Sequence, residues 1–299
     1  MSDRARRALV FGASGQIGAA LLARLRAAGW RVDAVSRTPP ADGDDAGLRW
    51  HRGGFPGFEP PSPEYDTVFS CGPLDRFSHW YAAARLRAPR VVAFGSTSLA
   101  TKADAEDAGE RALAATLREA EARVFEAARR HGAQATLLRP TLVYGAARDA
   151  NLCRIAAIAR RCGGFVLPRD ATGLRQPVHV DDLAQAAVAA ARAPAAGGRA
   201  YALPGGETLP YDEMVRRVLA ALPGRPRLWR VPVPLFRAAL AAAHAAGRLR
   251  GLPAGAVARL REDLVFDAGP ARADLDYAPR PFRPTARMLL ADAADPKRP

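Results

Sequence analysis

Ala8 to Gly12 is a short apolar run, and glycines recur at Gly15 and Gly18 before a helical spacing of leucines continues from Gln16 to Ala28 and stops at Gly29. That order predicts a strand, a tight turn and a helix. Further apolar runs at Arg31 to Ser36, Asp66 to Ser70 and Arg90 to Gly95 predict three more strands, with a helix at Phe77 to Arg87 between the last two. A long Ala-, Leu-, Glu- and Arg-rich helix is expected from Asp107 to His131, ended by Gly132 and followed by a strand at Ala135 to Arg139. Strands alternating with helices predict an α/β fold built on a doubly wound parallel sheet covered on both faces. Past about residue 145 the pattern loosens. Helices are expected near Asn151 to Arg161, Asp181 to Arg192, Tyr211 to Ala221 and Leu235 to Leu249, and short strands at Phe165 to Leu167 and Ala200 to Leu203. This divides the chain into a dinucleotide-binding Rossmann domain at 1–145 and a smaller C-terminal substrate lobe at 146–299, part of which returns to the sheet. The last nine residues read as a frayed tail.

Composition agrees with a folded chain: 49% of the 299 residues are hydrophobic and 25% charged. The formal charge of +14 rests on scattered arginines, Lys102 and Lys297 being the only lysines, with no block of like charge and no basic–aromatic interleaving. A nucleic-acid partner is therefore not expected, whereas small anions are. Cys71, Cys153 and Cys162 are odd in number and lack CxxC spacing, which predicts reduced thiols, no zinc site and a cytoplasmic setting. Met1 to Arg7 is polar, so no secretory signal is expected, and no charge-free apolar run reaches about 18 residues, so neither is a membrane span.

Gly12-Ala-Ser14-Gly15-Gln16-Ile17-Gly18 stands where a dinucleotide fingerprint must, between strand and helix. Glycine there lets a diphosphate approach main-chain N–H groups at the positive end of the helix; a turn that only packs is the competing reading. Cys71 and Gly72, after the strand ending at Ser70, are added to the expected cofactor contacts. An acidic ribose partner usually ends the second strand, but Ser36 stands there, Asp33 is too early, and Arg37 follows. A guanidinium suits a 2′-phosphate, so NADP is the expected cofactor, with NAD as the alternative.

With these motifs, Val91 to Ser98, Leu138-Arg139-Pro140 through Tyr144-Gly145, Arg175 to Asp182 and the segment from Asp267 to Pro279 give the chain, over most of its length, a pattern that resembles the extended short-chain dehydrogenases, the NAD-dependent epimerase/dehydratase family. The resemblance implies that Ser96, or Ser98 beside it, hydrogen-bonds the reacting substrate oxygen, that Arg139 and Pro140 line the nicotinamide end, and that Arg175 and Asn151 hold a nucleotide sugar. It also implies a possible homodimer through the helices after Phe77 and Asp107. His179, Asp181 and Asp182 are read as packing and helix-capping residues, not metal ligands.

The chain departs from the family at the base. No tyrosine is followed four residues later by lysine; the two positions fall near Leu113 or Ala114 and Leu117 or Arg118. Arg118 could stand in as ribose clamp and fixed cation, but a guanidinium does not exchange protons near neutrality. Lys102, Glu110 and Glu121 occupy the same stretch and read as a solvated face. Tyr81 with Arg85 and Tyr144 with Arg148 imitate the spacing in other segments, and Gly54 stands where relatives often place an aspartate near the adenine. Two functions stay open: an oxidoreductase or epimerase with a non-standard site, or a dinucleotide-binding protein without catalysis that serves as a sensor or assembly factor.

Overall fold

A computed structural model describes residues 5–41, 43–245 and 259–290. The chain begins with β1 (Arg7–Phe11), α1 (Gln16–Ala27), β2 (Arg31–Ser36), β3 (Leu48–Arg52), β4 (Thr67–Ser70), α2 (Leu74–Ala83), β5 (Arg90–Phe94), α3 (Ser98–Thr101), α4 (Ala108–Arg130) and β6 (Gln134–Pro140). It continues through β7 (Val143–Tyr144), α5 (Leu152–Cys162), β8 (Gly164–Pro168), β9 (Leu174–Arg175), β10 (Val178–His179), α6 (Val180–Arg192) and β11 (Arg199–Leu203). Last come β12 (Leu209–Pro210), α7 (Tyr211–Ala220), β13 (Arg227–Val231), α8 (Val233–Ala245), α9 (Gly269–Leu275) and α10 (Ala286–Leu289).

Two compact units emerge. The first takes in the chain up to Thr141, Val180–Pro204 and Asp267–Pro279; the second holds Leu142–His179, Gly205–Phe266 and the chain from Arg280. The first unit carries the doubly wound α/β sheet, seven strands in the order β11-β6-β5-β4-β1-β2-β3. Every pairing in it is parallel. Strand order reverses between β1 and β4, the switch point beside which such sheets bind ligands.

Side chains alternate across the strands. Leu9, Phe11, Val68, Val91, Ala93 and Leu137 pack in one core with Phe77, Trp80 and Tyr81 of α2 and Ala120, Val124 and Ala127 of α4. α1 packs against α6. α4 forms where its helix-rich composition predicts: Asp107 accepts the Glu110 N–H at 2.9 Å as its cap, and Gly132 takes φ +66° just beyond its end.

α2 starts three residues earlier than the apolar spacing suggested and ends before Ala84, which is extended. Pro73 holds φ at −60° ahead of it, and Leu74, Phe77, Trp80 and Tyr81 form its buried stripe. α6 begins at Val180, so Asp181 and Asp182 lie inside its first turn, where they complement the helix dipole and do not occupy the cap position expected of them. Of the helix expected at Leu235 to Leu249, the described part is α8; the remainder and the nine-residue tail lie outside the described residues.

In the second unit β7 pairs with β10 and β8 with β13, both parallel, while β9 and β12 are antiparallel. Its core gathers Tyr144, Leu152, Ile155, Leu167, Met214, Val218 and Phe282. Arg217 donates two parallel hydrogen bonds to the Glu207 carboxylate, Nη1–Oε2 and Nη2–Oε1 both 2.8 Å, and Glu207 also accepts the Phe282 N–H at 3.2 Å. That ties the late chain to β12 and α7. Among the described residues no helix is long and apolar enough to cross a membrane.

Candidate functional site

The glycine turn is shaped by contacts that exclude side chains. Gly12 sits at φ +67°, and a Cβ there would lie 2.8 Å from the Cys71 carbonyl carbon and 2.9 Å from the Gly72 nitrogen. A Cβ on Gly18 would overlap the Gly12 carbonyl oxygen, and one on Gly15 would come within 3.0 Å of it. Glycine at all three positions lets the turn, the start of α1 and the end of β4 close on one another. The structure thus brings Gly12, Gly15, Gly18, Cys71 and Gly72 together.

α1 opens here on Gly15, with no side-chain cap and no acidic residue in its first turn. Its first N–H groups are therefore left for an anion. Gln16 Oε1 and Ser70 Oγ are buried without a hydrogen-bond partner among the described residues. A bare main-chain cradle and a positive helix end fit a dinucleotide diphosphate, and Gln16 Oε1, an acceptor, is left for a hydroxyl or amide donor. Burial pushes the Cys71 thiol up to about 12, so it stays neutral beside the cradle.

At the end of β2, Ser36 Oγ lies 2.6 Å from Ser14 Oγ and accepts the Thr38 N–H at 3.1 Å. Asp33 is committed elsewhere: it receives Arg7 at 3.3 Å, His51 at 2.8 Å and the Tyr65 hydroxyl at 3.1 Å. Arg37 is exposed, and a Cβ on Gly54 would lie 3.4 Å from its Cγ. Ile17 follows in the first turn of α1, half-buried.

After β5, Ser96 Oγ accepts the Ser98 N–H at 3.1 Å, and Thr97 donates from Oγ1 to the Pro140 carbonyl at 3.1 Å. The ends of β5 and β6 are thereby locked, bringing Ser96 and Ser98 close to Arg139-Pro140. Arg139 turns its guanidinium onto Glu121 of α4, Nε–Oε1 2.8 Å with a second, shorter bond from Nη2. Glu121 holds the Arg139 proton more firmly than usual through that bond.

Glu121 and Glu110 correct the expectation of a solvated face. Both are buried, and Glu110 lies 3.4 Å from Lys102 Nζ. The inward strip of α4 runs through Glu110, Ala114, Leu117, Glu121 and Val124, a helical spacing visible in the sequence; the partners, on other elements, are not. Leu113 is 42% exposed, and Arg118 is exposed beside it, off the strip. The tyrosine and lysine positions thus hold two leucines or an alanine and an exposed arginine.

In the second unit Arg175 is buried, donating to the carbonyls of Leu174 at 2.7 Å and Glu262 at 2.6 Å and, more closely, of Arg259, while its guanidinium lies 5.3 Å from the Tyr211 ring centroid. Its removal from water lowers its proton affinity. Asn151 is exposed at the start of α5. The cap there is Asp149, which accepts the N–H groups of Asn151, Leu152 and Cys153 at 3.1, 2.5 and 3.3 Å. His179 packs edge-on against Tyr144, centroids 5.1 Å apart, and over Gly145, whose φ is +118°. Among the described residues no three His, Cys, Asp or Glu side chains gather as metal ligands.

Residues 80–203 match the model of the NAD dependent epimerase/dehydratase family. Comparison with the curated proteins finds no match. Among solved structures, MoeE5 in complex with UDP-glucose and NAD superposes with a TM-score of 0.66 at 22% identity, over 92% of this chain and 94% of that one. UDP-glucuronic acid 4-epimerase from Bacillus cereus in complex with NAD gives 0.65 at 13% identity, over 95% and 94%. TunA, an NAD-dependent NDP-hexosamine 5,6-dehydratase, gives 0.57 at 20% identity, over 76% and 84%. The resemblance read from the motifs is borne out by the family match over residues 80–203 and by a fold shared with solved epimerase and dehydratase structures.

Proposed function

We propose that this chain, with the fold and family match of the NAD-dependent epimerases and dehydratases, is a nicotinamide-dinucleotide-dependent oxidoreductase or epimerase acting on a nucleotide sugar. The observation that carries the reading is the cradle of Gly12, Gly15 and Gly18 against Cys71 and Gly72, open to the uncapped start of α1. Main-chain N–H groups of Gln16 and Ile17, in the first turn of α1, would face the diphosphate.

NADP(H) is the preferred form in this reading. Ser36 offers no carboxylate to a ribose, Asp33 is taken by three partners, and the exposed Arg37 is free to meet a 2′-phosphate. MoeE5 and the Bacillus cereus epimerase are solved with NAD, which stays the alternative here.

The bound nicotinamide supplies a reversible acceptor for one hydrogen and two electrons from a sugar carbon. Ser96 is the residue proposed to hold the reacting oxygen, because its hydroxyl both donates and accepts as alcohol becomes ketone. Pro140, fixed by Thr97, and Arg139, fixed by Glu121, shape the wall beside it. Asn151 and Arg175 are proposed as sugar and diphosphate contacts; for Arg175 this means exchanging carbonyl partners for phosphate oxygens.

A second reading, a dinucleotide-binding sensor or assembly factor without catalysis, is favoured by one feature: the tyrosine and lysine positions of α4 carry no proton-exchanging group. One assay separates the two. The purified chain is incubated with NADP or NAD and a panel of UDP- and dTDP-sugars, with absorbance followed at the reduced-nicotinamide band and products resolved chromatographically. Turnover of any sugar supports the enzyme; dinucleotide binding with every sugar recovered unchanged supports the second reading. Arg37→Ser is expected to weaken NADPH at least tenfold and NADH hardly at all.

A further inference from the structure

The strip of α4 lacks a proton-exchanging side chain where the family keeps one, but the segment lying along that strip does not. A Cβ on Gly95 would lie 3.0 Å from Glu121 Oε1, and Lys102 Nζ lies 3.4 Å from Glu110 Oε1. Those two contacts are eleven residues apart on α4, about 16 Å at 1.5 Å per residue. The chain from Gly95 to Lys102, with Ser96 and Ser98 in it, therefore runs along the side of α4 that carries Ala114 and Leu117. Lys102 closes this run one helical turn from the position of the missing tyrosine. Its backbone N–H is bonded to the Ser98 carbonyl at 3.1 Å, so Lys102 caps the C-terminal end of α3 one turn after Ser98.

Composition supplies a second, independent observation. Of 44 basic residues only Lys102 and Lys297 are lysines. Wherever a fixed cation is enough, this chain uses arginine. An ammonium group differs from a guanidinium in being able to give a proton to a reacting oxygen and take it back. The side chain of Lys102 is 23% exposed and that of Glu110 11%, so the amine has access to a ligand and the carboxylate stands behind it.

We propose that Lys102 is the proton-exchanging catalytic residue of this site and Glu110 its positioning partner; this rests on the dinucleotide-dependent reading above. Glu110 holds the ammonium in place. The Lys102 ammonium gives a proton to the oxygen of a ketone on the sugar while a hydrogen with two electrons reaches the same carbon from the reduced nicotinamide dinucleotide. An N–H bond, the second C–O bond and a C–H bond of the dinucleotide break, an O–H bond and a C–H bond on the sugar form, the sugar carbon is reduced and the dinucleotide oxidised. In the return direction the amine takes the O–H proton back as the alcohol is oxidised.

Three measurements on the full chain test this. The first is acetylation of the native protein with acetic anhydride, read by mass spectrometry at Lys102 with Lys297 as internal reference. NADPH with UDP-glucose is expected to slow Lys102 at least tenfold relative to Lys297. The second compares Lys102→Arg with wild type: turnover should fall about 10²–10⁴-fold, the range for a general acid–base group, with KM and NADH affinity within threefold. The third is Lys102→Ala, whose turnover ethylamine should restore in part. Unchanged NADH affinity reports that both variants are folded. Equal acetylation with and without ligands, or turnover by Lys102→Arg within threefold of wild type, overturns the assignment of Lys102. Failure of the wild-type chain to bind either nicotinamide dinucleotide instead overturns the function on which it rests.

Discussion

The Glu121–Arg139 pair makes an ordered set of stability predictions. The Glu121 side chain is 6% exposed and that of Arg139 30%, so the two ends are not equally costly to orphan. Arg139→Met leaves a carboxylate deep beside Gly95, with its two charge-assisted bonds gone; removing one member of a buried pair costs about 3–5 kcal/mol. Glu121→Gln keeps an acceptor for the guanidinium, and Arg139 still touches water, so the loss is that of weakened charge-assisted bonding, about 1–2 kcal/mol. The double replacement Glu121→Leu with Arg139→Met removes both charges, and such exchanges are often neutral or stabilising by about 1–4 kcal/mol. Urea unfolding of the four proteins, read by tryptophan fluorescence, gives the differences directly. The expected order of stability is the double variant at or above wild type, then Glu121→Gln, then Arg139→Met. If Arg139→Met proved as stable as Glu121→Gln, or the double variant less stable than either single one, the pair would not be the buried, desolvated contact described here.

Three other outcomes follow from single groups. Tyr81 OH is buried without a partner among the described residues, and burial pushes its pKa up to about 12, so Tyr81→Phe should leave the melting temperature unchanged or raise it; a clear fall would mean a partner exists. Asp33→Ala strips an acceptor from Arg7, His51 and Tyr65 at once, and should cost about 2–4 kcal/mol in urea unfolding while NADH affinity holds; a loss below 1 kcal/mol would count against the network. The Arg217 bonds hold the Glu207 carboxyl below its usual pKa, with the positive charge of Arg217 acting the same way. The folded value is depressed, so this contribution is complete above the unfolded carboxylate range and is lost as pH falls below about 4. Arg217→Met should flatten that acid limb of the stability–pH curve, and an unchanged limb would refute the assignment.

How far the sequence carried the structure depended on where each signal was stored. β1, the glycine turn and α1 are legible because strand, turn and helix cues follow one another within 20 residues. α4 was legible for the same reason, with Asp107 to start it and Gly132 to end it. Two-residue strands such as β7, β9, β10 and β12 hold no period to detect, and β13 is mostly exposed, so its residues alternate weakly. Glu110 and Glu121 were misread because a helix full of Ala, Glu and Arg looks solvated from its own composition; what buries them is Lys102 on the preceding segment and Arg139 on β6. Their spacing with Ala114, Leu117 and Val124 was the available clue. Arg175 was placed by resemblance, and no local pattern could have announced that carbonyls of residues 259 and 262 would take its guanidinium.

The central claim is that bare main-chain N–H groups at the start of α1 receive a diphosphate. Gly15→Asp compared with Gly15→Ala tests it most directly: both bring a Cβ to 3.0 Å from the Gly12 carbonyl oxygen and share that steric cost, and only the aspartate sets a negative charge at the start of α1, where it repels an anion. NADPH and NADH are titrated against wild type and both variants by nicotinamide fluorescence, with melting temperature as the control for folding. The account predicts saturable binding by wild type and at least a tenfold weaker binding by Gly15→Asp than by Gly15→Ala. Equal binding by the two variants, or no binding of either nucleotide by wild type, would contradict it.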